Sequence, residues 1–559
     1  MVIPAIRKEG MMAFFVLLGG PCLKNFKTGG TKMKNMKKVW SLLLALAMIM
    51  ALAAGCSGGD NGGNSNNGGN AENSQPADNG GAEKTNITIG LDGEWTTLDP
   101  SVGGNMSYSV LAGGIYETLL FNDGSGDLKP LLAESYEWQD DTTLVFHLRQ
   151  GVKFHNGNDF AADDVLFTLQ RLAENPNYVN RYECIDWDNT YAEDDYTVVF
   201  KLHNFNASLT ENFASCISCI LDKDWYEEVG DEGAAQEMNG TGPYVLTEWK
   251  MGDYTLLSRN ENYWGDAPYY DTITLKCYSE PTTRVMEYQT GTLDICYINR
   301  SQDIDQLESG AFADTYEVAR AVHGVCGVGL TSWPEVSDTF LDIRVRQAIA
   351  YAIDVPTLVD SVGGSALTVA NSILPVSDWA YADLGSYSYD PDKSRELLAD
   401  YGKPVSFTMV INNSGYQPDI AEALQGYLAE VGIDMQIETY EFATFISKLI
   451  NCEIAATINS NSGGSDPSDS FTPYERNSGN ACAEFRDEEL LTLLEQAKNE
   501  ADVETRKGMY KEIQQIVHDN FYFIPLYTGR TVYAVRNGIT GVEDSLTSEN
   551  AITLGMLGG

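Results

Sequence analysis

The residues best suited to chemistry are thiols and imidazoles, and their spacing limits what they can do. Cys216-Ile-Ser-Cys219 is the only C-x-x-C among ten cysteines. Such a pair serves zinc, redox exchange or a local bridge, but zinc needs four ligands, and neither a second pair nor a nearby histidine supplies them. Buried thiols or a local bridge is the expected state, with redox chemistry the alternative. The other cysteines beyond residue 56 are Cys184, Cys277, Cys296, Cys326, Cys452 and Cys482, and their pairing cannot be read from spacing. His155, in "FHNG", has no companion at metal-ligand spacing, and the five histidines of the chain are not clustered. It is expected to be structural, and no metal or cofactor is expected. Apart from Gly55-Cys56-Ser57-Gly58-Gly59 in the N-terminal tract, the chain contains no G-x-S-x-G, and it has no H-E-x-x-H and no G-x-x-x-x-G-K-[ST], so neither an enzyme nor a nucleotide-driven pump is expected.

Composition narrows the partners. Asp and Glu number 80 against 36 Lys and Arg, a net charge of −44, which repels phosphate backbones and makes nucleic acid a poor partner. At 43% apolar and 11% aromatic the chain is globular. Its length beyond the N-terminal region allows two or three core-bearing units.

Strand and helix signals alternate, which argues α/β. In "DIRVRQAIAYAID", Val345, Ala348, Ile349, Ala352 and Ile353 form one apolar helical stripe, Asp342 caps it, and Arg344 and Arg346 face away from it. Asp390-Pro391 opens another helix that Gly402 closes. From Val405 to Tyr440 the pattern is strand, helix, strand, a βαβ unit of a partly parallel sheet. Gly240-Thr241-Gly242-Pro243 reads as a turn before a strand, and Asn262-Tyr263-Trp264-Gly265 as a packed loop.

The N-terminal region is different. After Lys34, Lys37 and Lys38, an apolar run from Val39 to Ala54 is shorter than the roughly 20 residues of a spanning helix. Residues 33–55 therefore read as a signal peptide. Ala53-Ala54-Gly55-Cys56 resembles the lipobox of bacterial lipoproteins, with Ala53 where leucine is usual, so Cys56 is the expected lipidation site. The Gly/Asn/Ser tract of residues 56–84 cannot bury enough apolar surface to offset its ordering entropy and should be a tether. Residues 1–32 fit no signal peptide and read as an extension upstream of a start at Met33.

Several stretches, in order, resemble the family 5 extracellular solute-binding proteins, the oligopeptide, dipeptide and nickel-chelate receptors of ABC importers. They are "LLAESYEWQDDTTLVFHLRQGVKFHNGNDFAADDVLFTLQRL", "GTGPYVLTEWKMGDYTLLSRNENYWGDAPYYDTITLK", "DIRVRQAIAYAID", "YDPDKSRELLADYG" and the tail from Asp502 to Gly541. The resemblance implies a two-lobed α/β fold of the periplasmic-binding-protein type (class II, three subdomains), with mixed sheets and a ligand cleft between the lobes. Lobe I would comprise residues 85–321 and 522–559 with an inserted subdomain near 125–238, and lobe II residues 322–521. Crossover strands near 318–330 and 523–535 would form the hinge. It further implies a monomeric receptor outside the cytoplasmic membrane, on the periplasmic side where an outer membrane exists, delivering a peptide or similar polar organic solute to a permease with separate ATPases. An oligosaccharide receptor and a non-transporting sensory receptor are the alternatives.

The ligand loops depart from the peptide-binding pattern. In "TINSNSGGSDPSDSF", Ser460 stands where relatives carry an aromatic residue and Gly463 where they carry the Asp that pairs with a peptide ammonium. Gly104 replaces an acidic contact of the oligopeptide branch, and Asp469 is a possible substitute anchor. By loop position, Asn105, Met106 and Ser107 are expected to face Asn459, Ser460, Asn461, Asp466 and Asp469, with Trp95 or Trp333 as apolar wall.

Overall fold

The computed structural model describes residues 85–559 except 103–105, 124–127, 176–177, 323, 332–335, 414, 452, 463–465 and 472–486. Strand Asn86–Leu91 pairs in parallel with Thr272–Cys277 and with Ile295–Ile298. The antiparallel strands Tyr254–Arg259 and Tyr244–Lys250 complete that side. Ile87, Ile89, Leu91, Ile273, Leu275 and Tyr533 join the core of this first lobe. An inserted four-stranded antiparallel sheet, in the order Ala133–Asp140, Thr143–Leu148, Thr197–Lys201, Tyr191–Asp194, has its own aromatic core of Phe146, Phe160, Phe200 and Phe213.

The βαβ signal is realised in the second lobe. Strands Ser406–Asn412 and Asp434–Tyr440 lie parallel in register, Ser406 opposite Asp434, and are linked by helix Gln417–Glu430. Helix Ile343–Ala352 starts where Asp342 accepts from the Arg344 amide at 3.0 Å and buries Val345, Ala348, Ile349 and Ala352. Helix Pro391–Tyr401 is capped by Asp390 and ends at Gly402 with φ 76°, a conformation glycine adopts without a Cβ penalty. Arg346 departs from expectation. It leaves the apolar stripe yet is only 5% exposed, because its guanidinium donates to the carbonyls of Asn520 and Phe340 at 2.8 and 2.6 Å. A cation can be buried where backbone acceptors converge on it.

One 14-residue strand, Phe523–Arg536, runs through both halves. Its start pairs with Gly324–Leu330, Cys326 opposite Tyr527, and its end pairs with Thr315–Ala321 and with Ile295–Ile298. The two lobes thus share one sheet at this strand. The loop motifs are framework. The Glu117 carboxylate is buried and accepts from Tyr263 Oη, Trp264 Nε1 and Thr241 Oγ1, each at 2.7 Å. Burial outweighs these donors and pushes it up to about 7. His155 shares a hydrogen bond with the Gly242 carbonyl at 3.0 Å, and burial lowers its affinity for a proton. Among the described residues no helix is long and apolar enough to cross a membrane, and no cluster of three His, Cys, Asp or Glu could hold a metal. Cys184, Cys216, Cys219, Cys277, Cys296 and Cys326 are free thiols, while Cys22, Cys56, Cys452 and Cys482 lie outside the described residues.

Candidate ligand cleft

The first lobe contributes the turn that follows strand Asn86–Leu91. Ser107, in the first turn of helix Met106–Ile115, donates to Asp92 Oδ1 at 3.0 Å and accepts from the Gly93 amide at 3.1 Å. The helix start is thereby fixed to the strand end. Met106 is held from the other side by Tyr533, whose hydroxyl lies 3.0 Å from its sulfur and 3.1 Å from the Asn550 carbonyl. Tyr533 and Tyr297 pack with ring centres 5.7 Å apart, and burial together with nearby Asp92 raises both hydroxyls above the ordinary phenol range.

The second lobe contributes strand Ala456–Ser462, whose Asn459 and Ser460 lie opposite Gly327 and Cys326. Cross-strand partners share a face, so Ser460, Cys326 and Tyr527 form one row across three strands. Tyr527 meets Tyr416 edge-on at 6.3 Å, and the Tyr416 hydroxyl donates to the Asn299 carbonyl of the first lobe at 3.2 Å. Tyr533, Tyr297, Tyr416 and Tyr527 therefore link the two sides where the lobes join. Only Ala456 and Thr457 of the second-lobe strand pair with Ser406–Asn412. From Ile458 onward its outer backbone edge has no strand partner among the described residues.

The expected residues fall into several environments. Met106 and Ser107 belong to the first-lobe group, and Asn459 and Ser460 to the second, half-buried and exposed respectively. Asn105, Trp333 and the Asn461 side chain lie outside the described residues. Trp95 is 3% exposed in the first-lobe core, so it is core rather than cleft wall. Asp466 is also corrected as a ligand contact. It is buried, with Arg506 donating to its two oxygens at 2.7 Å each and Ser468 Oγ adding a third bond at 2.6 Å. Asp469 is half-buried in helix Pro467–Phe471. The four tyrosines were not foreseen. Tyr527 and Tyr533 are six apart on one strand, and that even spacing was the available signal.

The geometry is that of a two-lobed α/β binding protein, with lobes joined by a long shared strand. The profile described as bacterial extracellular solute-binding proteins, family 5 Middle, matches residues 127–481. The chain belongs to this family of solute-binding proteins, which capture a solute and are not enzymes. Heme-binding protein A of Haemophilus influenzae is 29% identical over 456 residues, 75% of this chain and 82% of that protein. Di/tripeptide-binding protein 1 of Pseudomonas aeruginosa is 27% identical over 449 residues, 74% and 82% of the two chains. The fold matches the ABC transporter-associated periplasmic binding protein DppA from Helicobacter pylori in complex with peptide STSA. The TM-score is 0.73 at 23% identity, over 84% of this chain and 97% of that one.

Proposed function

We propose that the protein is the extracellular receptor of an ABC importer and that it takes up short peptides in extended form. The outer edge of the strand from Ile458 to Ser462, without a strand partner among the described residues, carries this reading, because an extended peptide can add its own backbone donors and acceptors to such an edge. The names of the peptide-binding relatives support it. Lobe I is assigned residues 85–321 and 522–559, with its insertion near 125–238, and lobe II residues 322–521. Closure requires only that the ligand touch both lobes, so that the closed state binds it better. The solute then passes to a permease with separate ATPases.

Gly463, where relatives carry an acid, leaves a peptide ammonium without its usual partner. Thermal shifts should therefore be at least as large for N-acetylated di- to hexapeptides as for free ones. A ligand at about 100 times its Kd stabilises by roughly 2.7 kcal/mol. Shifts confined to neutral oligosaccharides would overturn the peptide reading, and shifts abolished by N-acetylation would restore an ammonium anchor at another acid such as Asp469.

Membrane attachment is assigned to the lipid on Cys56, which lies outside the described residues. Cys56→Ser should release the protein from the membrane fraction or leave its precursor uncleaved. Unchanged membrane retention on fractionation would refute the anchor.

A further inference from the structure

A segment of the first-lobe insertion touches the second lobe away from the shared strand. The Ala207 amide donates to the Lys498 carbonyl at 3.1 Å, and the Asn204 side-chain amide donates to Asn499 Oδ1 at 2.9 Å. Both acceptors lie at the C-terminal end of helix Glu488–Lys498, which packs into a second-lobe core through Leu490 and Leu494. Four residues past Ala207, Glu211 carries a carboxylate into the same seam. Asn122 Nδ2, from the first lobe, donates to its Oε2 at 2.9 Å.

The charged groups that act most strongly on Glu211 come from the second lobe: Asp466, Asp469 and Arg506. The cation among them is already committed. Arg506 gives its two terminal nitrogens to Asp466 and its Nε to the Ala497 carbonyl. Asp378 sits in the field of the same three groups. Glu211 and Asp378 thus each feel Asp466, Asp469 and the Arg506 guanidinium, while only Asp466 touches that guanidinium. Lys498, on the same seam, also acts on Cys184.

A carboxylate pressed against two others in a half-buried seam favours its neutral form, whereas the same group in water does not. Parting the lobes would return Glu211 to water, so closing and proton uptake are linked. We propose that this seam is a proton-sensitive clasp: one proton taken up by Glu211 holds the lobes together, and its loss lets them part. The clasp belongs to the lobes themselves, whatever solute they enclose.

The sign of the dependence follows. Burial, and then Asp466, pushes Glu211 up to about 8 from an ordinary 4.5. Asp378 is raised to about 7 in the same direction. The closed form holds the extra proton in the window between these Glu211 values. Closure is unaffected below 4.5, weakens by up to tenfold per pH unit above it, and levels off above about 8.

The Ala207 amide reports the seam directly, because it exchanges with solvent only when its bond to Lys498 opens. Hydrogen exchange would be measured on the full, ligand-free chain and corrected for the intrinsic base-catalysed rate. Its protection factor should fall on the order of 50-fold between pH 6 and pH 8. Glu211→Gln should flatten that profile, and the radius of gyration from small-angle scattering should rise over the same window only in the wild-type chain. A flat wild-type profile, protection that rises with pH, or an unchanged slope in Glu211→Gln would each overturn the clasp. A loss shared by core amides such as Ile349 would also overturn it, since the opening would then be global unfolding. The wild-type profile decides the matter even where the variant fails to fold.

Discussion

Arg506→Met should lower the free energy of unfolding by about 3–5 kcal/mol, the usual cost of breaking a buried ion pair from one side. Asp466 is 3% exposed and Arg506 6%, and the guanidinium supplies two hydrogen bonds of 2.7 Å. Around them stand Trp379 and Tyr510, whose rings lie 5.5 and 5.3 Å from the guanidinium carbon. Methionine keeps much of the apolar stem but leaves the carboxylate without its cation. Ser468 donates from its amide and hydroxyl, yet neither group carries charge. The double variant Asp466→Asn/Arg506→Met should be less damaged than Arg506→Met alone, because removing the stranded charge removes much of the penalty. Urea denaturation of the three proteins would check this. A loss under about 1 kcal/mol for Arg506→Met would show that water reaches the pair and that the burial argument fails.

Gly240→Ala should cost about 3 kcal/mol, at the upper end for inserting a methyl group into a packed site. A Cβ at this position would stand 2.0 Å from the Ile115 carbonyl oxygen and 2.8 Å from both Ile115 C and Tyr116 Cδ1. The backbone has little freedom to retreat. The Gly240 carbonyl accepts from the His155 amide at 2.9 Å, and the Gly242 amide donates to that same Ile115 carbonyl at 2.9 Å. Gly242→Ala meets the same carbonyl at 2.7 Å and should behave alike, and the pair together should cost less than the sum because both push on one atom. Thermal unfolding of the two single variants and the double one is the measurement. Unchanged melting of Gly240→Ala would mean that the end of helix Met106–Ile115 shifts freely.

These two sites show where sequence reading stops. The glycines of Gly240-Thr241-Gly242 were legible as a turn, but their use here is close approach to a carbonyl more than a hundred residues away. Asp466-Pro467 was legible as a loop near the cleft, while the partner that takes its carboxylate lies 40 residues on. Trp95 looked like a cleft wall because its loop follows a first-lobe strand, and only packing against that lobe's core decided otherwise.

What the sequence determined by itself was set by interactions within about four residues. The caps at Asp342 and Asp390, the stop at Gly402 and the stripe of helix Ile343–Ala352 all depend on groups that spacing alone brings together, as do the separate strand and helix periods of the βαβ unit. The ordered motifs carried the family in the same way. Tertiary structure decided the burial of Arg346, the tyrosine row across the lobes, and the meeting of Arg506 with Asp466. The Tyr533 hydroxyl reaches Met106 across 427 positions of chain, and Asn204 reaches Asn499 across 295. Such partners are fixed by strand register and by how lobes pack, and no local spacing encodes either, because hydrogen bonds and charges act over a few ångströms of space whatever their separation along the chain.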